Sequence, residues 1–130
     1  MNSKPVVAAC DARSILDAAL AAAARGGLAM TIAVVDEGGY LLCAERMDGA
    51  GLMTPKAAIE KARTAALMRA PSRRLAERIE GEPALLRLTD YLPMAGGLPI
   101  LVDGQCAGAI GVSGGTADQD EAVGAAGLAG

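Results

Sequence analysis

Two short turns decide which folds are open to this chain. Asp36-Glu37-Gly38-Gly39 lies between the apolar run Leu28 to Val35 (LAMTIAVV) and the run Tyr40 to Met47 (YLLCAERM). Asp103-Gly104 lies between Leu98 to Val102 and Gln105 to Val112. Neither connection can hold a crossover helix, and strands joined so tightly pair antiparallel. A Rossmann-type βαβ unit is therefore excluded. The expected class is α/β in the α+β sense, a mostly antiparallel sheet of four to five strands flanked by helices.

The helices fall around those hairpins. Asp11 to Arg25 carries an apolar stripe of Ile15, Leu16, Ala19, Leu20 and Ala23, with Asp11 as a cap and Gly26-Gly27 as the stop. Thr54 and Pro55 open a second long helix running to about Arg69. Ser72 to Ile79 and Glu82 to Asp90 read as two shorter helices, and Leu92 to Gly97 as a loop. Ala117 to Leu128 reads as the last helix, with Thr116 as its cap. The 130 residues suit one domain, 1–130, burying about two-thirds of the surface of the unfolded chain.

The core available to this sheet is unusual. Hydrophobic residues make up 52% of the chain, yet there is no Phe or Trp and only two Tyr. Ala, Val, Ile, Leu and Met must fill it, and each small side chain contributes little at roughly 25 cal/mol per Å². Burial between subunits would add to that core, so a homo-oligomer is expected.

Charge and composition exclude several functions. A net charge of −3 leaves no basic surplus for a nucleic-acid face. No stretch approaches a membrane span, and Met1 to Ala9 lacks the apolar run of a signal peptide. Cys10, Cys43 and Cys106 form no CxxC pair, which suits a reducing compartment, so a cytoplasmic location is expected. Histidine is absent altogether. That removes the commonest general base, the commonest metal ligand and the usual proximal heme ligand together, and no metal site is expected.

Three places could carry chemistry. Ser113-Gly114-Gly115 joins a strand to a helix start, where backbone amides and the helix dipole favour an anion such as a carboxylate; a sharp turn alone would explain the same glycines. Lys61 sits about 100° round its helix from the solvated Lys56, Glu60 and Arg63, between Ala57, Ala65 and Met68. Its ammonium is either snorkelling or held in a sheltered site. Arg46, at the end of the second strand, can offer a planar fork to a carboxylate or to an acidic side chain of the chain itself. Asp118, Asp120 and Glu121 complement the dipole of the last helix, and Asp120 or Glu121 beside Lys61 could handle a proton. These residues sketch a cofactor-independent isomerase, lyase or hydrolase for a small carboxylate, with Lys61, Arg46, Asp120 and Glu121 as catalytic candidates. Ser113, Gly114, Gly115, Arg46 and Lys61 would hold the ligand. Whether the chain is an enzyme stays open at this level.

The same segments carry a family likeness. AVVDEGGYLLCAERMDGA (33–50), KARTAA (61–66), GGLPI (96–100) and DGQCAGAIGVSGGTADQDEAV (103–123) resemble the GlcG/HbpS family, also called the heme-degrading domain family, which includes the C-terminal domain of PduO-type proteins. The resemblance implies a profilin-like sandwich, assembly into homo-oligomers, binding of heme or a related tetrapyrrole, and a catabolic setting. Its recurring residues fall on Asp36, Gly38, Gly39, Arg46, Asp48, Lys61, Gly114, Gly115, Gln119, Asp120 and Glu121. The chain departs from a usual heme pocket in having no histidine and few aromatic walls.

Overall fold

The chain alternates helices and hairpins in the order read from its turns. In the computed structural model, which describes residues 1–88 and 90–130, helix α1 spans Ala9–Arg25, strands β1 and β2 span Thr31–Asp36 and Leu41–Arg46, and helix α2 spans Thr54–Met68. Helix α3 (Arg73–Gly81) and a 3-10 turn (Pro83–Arg87) follow. Strands β3 (Gly97–Val102) and β4 (Gln105–Ser113) and helix α4 (Ala117–Ala129) complete it. The fold is α+β, a four-stranded sheet in the order β2-β1-β4-β3 with every neighbouring pair antiparallel.

The turns explain the hairpins. Asp103 and Gly104 both have positive φ, +52° and +78°, the handedness a two-residue turn needs to match strand twist. In the first hairpin Asp36 Oδ1 accepts the amides of Gly38 and Tyr40, both at 2.9 Å. Such a side-chain bond substitutes for a backbone turn.

Several element ends differ from expectation for local reasons. Helix α1 begins at Ala9 with Ala8 at its cap, so Asp11 lies in the first turn, where its charge meets the helix dipole, and is not the cap. Thr54 is the first helical residue, and its hydroxyl is given to the carbonyl of Gly51 at 2.7 Å instead of capping. Strand β1 starts at Thr31, not Leu28, because the Leu28 amide closes the end of α1 on Ala23 O. The helix expected over Glu82 to Asp90 is a 3-10 turn over Pro83–Arg87; the part of that expectation falling on Thr89 lies outside the described residues. Thr116 does cap α4, with Gln119 answering in a reciprocal capping box.

The sheet has two unlike faces. Ile32, Val34, Ile110 and Val112 point to one side and pack with Leu16, Ala19 and Ala23 of α1, Met30, and Val123 of α4. Val35 and Ala109 point to the other side, against Ala62, Ala65 and Ala66 of α2. There α2 lies on bare backbone, since a Cβ at Gly111 would collide with the Ala58 carbonyl and would stand 2.6 Å from the Ala62 amide nitrogen. At this contact no side chain fits between α2 and the strand, which suits a composition poor in aromatic residues.

Candidate functional site

Two of the polar residues singled out in the sequence, Lys61 and Asp120, meet on the α2 face. Lys61, on the third turn of α2, is 2% exposed, and Asp120, in the first turn of α4, is 3% exposed. The Lys61 ammonium donates to Asp120 Oδ2 at 3.0 Å and to the Val112 carbonyl at 3.1 Å. The second oxygen of Asp120 accepts the Gly115 amide at 2.8 Å. Ammonium and loop amide thus converge on one anion position, and the anion standing there is the side chain of Asp120. Both charges are desolvated, which only close pairing and full hydrogen bonding make tolerable. Gly96, with φ of +130°, lets Lys61 reach the sheet, because a Cβ there would stand 2.9 Å from Lys61 Cδ.

The remaining predicted residues divide differently. Glu121 accepts from Arg73 Nε at 2.9 Å, and Asp118 accepts from the same guanidinium at 2.8 Å. The hydrogen bond and charge of Glu121, with Asp118 behind them, raise the pKa of Arg73 beyond its ordinary value. This clamp ties α3 to α4 and stands apart from Lys61. Arg46 is exposed at the end of the edge strand β2, level with Thr31 in register. None of the bonds of the Lys61 cluster reaches it. Ser113 is nearly buried, at 9% exposed, opposite Thr31 on the α2 face.

Beside Ser113 opens a hollow of about 590 Å³ that the sequence reading did not select. Leu52, Met53, Lys56, Ala57, Leu92 and Met94 wall it, with Glu60 and Ser113 completing the lining. Leu52 and Met53 are 84% and 85% exposed, and Met94 is 50% exposed. Large apolar side chains are grouped here around a concavity with little cover, the composition that makes it a candidate site.

Buried hydroxyls hold its far wall in place. Thr64 donates to the Glu60 carbonyl at 2.8 Å and accepts the Leu92 amide at 3.0 Å. Ser72 donates to the Met94 carbonyl at 2.6 Å and accepts the Gly97 amide at 2.8 Å. Both hydroxyl residues are fully buried. At the near wall Thr54 gives its proton to Gly51, so Thr31 donates to Thr54 across 2.8 Å. Arg63 pairs with Asp90 at 2.9 Å, lies 3.6 Å from Glu60 and sits 5.5 Å from the centre of the Tyr91 ring. The Asp90 hydrogen bond raises its pKa, with the charges of Asp90 and Glu60 adding to the effect and partial burial opposing it. One signal could have found the hollow: Leu52-Met53 and Leu92-Pro93-Met94 are apolar residues in loops, where polar ones are the rule.

Comparison with known proteins places this architecture. GlcG of Escherichia coli K12 is 37% identical over 114 residues, covering 87% of this chain and 85% of that protein. A crystal structure of a double mutant of Streptomyces reticuli HbpS superposes with a TM-score of 0.92 at 35% identity, over 99% of this chain and 89% of that one. The PduO C-terminal domain, crystallised as a heme complex, shares the fold, with a TM-score of 0.87 at 24% identity, over 95% of this chain and 94% of that one. The family model for haem degrading protein HbpS-like matches residues 7–129, and with the close likeness to GlcG and HbpS it makes this chain a member of the HbpS-like family.

Proposed function

We propose that the protein binds a flat, largely apolar small molecule of the tetrapyrrole class, heme above all, in the hollow beside the start of α2. The observation that carries this reading is the cluster of uncovered Leu52, Met53 and Met94 around a concavity of about 590 Å³. That volume is ordinary for a site enclosing a cofactor-sized molecule. The family description as haem degrading, and the heme complex of the PduO domain, support the same class of ligand.

The lining fits a tetrapyrrole in most respects. Leu52, Met53, Ala57, Leu92 and Met94 offer apolar contact to the ring faces, and the exposed Lys56 meets a propionate at the rim. Histidine is absent, so an iron ligand must come from another side chain; Met53 and Met94 are the thioethers at hand. When bound, heme would supply an iron centre able to take up oxygen or electrons. Hemin titration followed by absorbance tests this reading. The expected result is a saturable shift of the Soret band near one equivalent, weakened by Leu92→Glu with the fold retained. A linear, non-saturating response would end it.

A second reading, a cofactor-independent isomerase, lyase or hydrolase acting on a small carboxylate, draws support from the convergence of Lys61 and the Gly115 amide on one anion position. Here Lys61 and Asp120 would act with Glu121 and Arg46, and Ser113 and Gly114 would line the approach. The position is already taken by Asp120, which ranks this reading second. Titrating small carboxylates against the Gly115 amide resonance tests it, and an unmoved resonance counts against it.

Exposed apolar residues on both edge strands, Leu41 and Leu42 on β2 with Leu101 and Val102 on β3, support a homo-oligomer. Light scattering reads the mass directly. The three cysteines are free, which supports a reducing, cytoplasmic compartment; no helix among the described residues is long and apolar enough to cross a membrane.

A further inference from the structure

The donor set of the hollow narrows how it would hold its ligand, and this inference rests on the tetrapyrrole reading above. The side chains with a heteroatom that line it are Met53, Lys56, Glu60, Met94 and Ser113. An ammonium has no lone pair to give until it loses a proton. Glu60 is a hard oxygen donor 3.6 Å from the Arg63 guanidinium. A neutral serine hydroxyl is a poor ligand for iron. Cys10, Cys43, Cys106, Tyr40 and Tyr91 lie outside the lining. The thioethers of Met53 and Met94 are left, and a thioether is a soft donor that heme iron accepts.

The two methionines differ in how they are held. Met53 stands at the cap position of α2, its carbonyl accepting the Ala57 amide at 3.2 Å, and the residue is 85% exposed. Met94 is half exposed, but its backbone is fixed on both sides. Its carbonyl takes the Ser72 hydroxyl at 2.6 Å, and its amide donates to the Leu92 carbonyl at 2.9 Å. Ser72 itself is fully buried, and its oxygen also accepts the Gly97 amide at 2.8 Å. Ser72 thereby fixes the backbone that carries the Met94 side chain, so less freedom is lost when its sulfur engages a ligand.

We propose that Met94 is the residue that binds heme iron through its sulfur, held for that role by Ser72, while Met53 covers the ring from the opposite wall. Thioether ligation favours the reduced iron and raises the reduction potential relative to nitrogen ligation.

The test uses the intact protein with hemin and, in parallel, metal-free protoporphyrin IX. Met94→Leu keeps the apolar volume and removes the donor. It should weaken hemin binding by at least about tenfold, leave metal-free porphyrin binding within about twofold, and abolish the near-infrared sulfur-to-iron charge-transfer band of the ferric complex. Met94→His should restore hemin binding with a nitrogen-ligated spectrum and a lower potential. Equal weakening of both ligands by Met94→Leu would make Met94 a wall residue and overturn the assignment while leaving the tetrapyrrole reading intact. Loss of the charge-transfer band in Met53→Leu instead of Met94→Leu would overturn it as well. If the wild-type protein binds metal-free porphyrin and hemin equally and shows no such band, iron ligation fails. Saturable binding of neither overturns both readings.

Discussion

The two faces of the sheet solve the same packing problem in opposite ways. Towards α1 and α4 the sheet presents branched aliphatic side chains, and Leu16, Ile32, Val34, Ile110 and Val112 fill the gap. Towards α2 it presents Val35 among alanine and glycine, and at Gly111 helix backbone approaches strand backbone directly. The second arrangement buries little apolar area per residue, and the buried polar groups gather there: Thr31, Thr54, Lys61, Thr64, Ser72 and Ser113. Close backbone approach places carbonyls and amides within reach of those side chains, which offsets the cost of burying them. The aliphatic face provides stability, and the alanine face provides geometry for the hollow and its supports.

If that contrast is right, the aliphatic face should fail by subtraction and the α2 face by addition or by loss of a single polar partner. The largest effect is expected at Gly111→Val, which drives a branched side chain into the Ala58 carbonyl. The loss should reach about 4–5 kcal/mol, enough to leave no cooperative urea transition. Lys61→Ala strands the buried Asp120 carboxylate and should cost about 3–5 kcal/mol by chemical denaturation. Adding Asp120→Asn to Lys61→Met removes both charges and keeps an acceptor for Gly115, and it should recover most of that loss. Leu16→Ala, on the aliphatic face, should cost about 2–5 kcal/mol by leaving a cavity. Leu16→Met, which keeps the volume, should cost less than about 1.5 kcal/mol, whereas Ala62→Leu on the α2 face should be as harmful as a deletion. Thr116→Ala removes the α4 cap and should cost about 1 kcal/mol.

The smallest effect concerns reactivity. Burial pushes the Cys43 thiol up from its ordinary value, with Arg13 lowering it and Asp17 raising it further. A raised thiol pKa means less thiolate at any given pH, so alkylation of Cys43 should lag that of the exposed Cys10 and close the gap only as pH rises. Mass spectrometry of iodoacetamide-labelled peptides reads both sites. Equal rates for the two at about pH 8.5 would remove burial as the cause.

The architecture was legible because it is written in local signals. Asp103-Gly104 and Thr116 with Gln119 act within a few residues of themselves, and the structure uses both turn and cap. Lys61 was legible as an oddity, a charge among alanines, and its burial follows from that pattern. Its partner was legible only as Asp120 or Glu121, since Asp120 lies 59 positions away beside a second acid with an equal local claim. Only the packing of α4 against the sheet decides that Asp120 turns inward while Asp118 and Glu121 turn to Arg73. The hollow was harder to read, its one signal being apolar residues placed in loops. Its large apolar residues come from the loop before α2 and the loop before β3, where no period organises the side chains, and its supports are single hydroxyls on Thr64 and Ser72.

Asp120 has a consequence for any acid the cell offers this protein. A carboxylate tethered to the chain beside Lys61 and the Gly115 amide competes with free carboxylates at an effective concentration in the millimolar range or above. A visiting acid must displace a resident that never diffuses away, and must leave that resident's charge without a counter-ion. The molecule thereby shields Lys61 from dilute metabolites, while the site proposed for its ligand lies next door at the apolar rim.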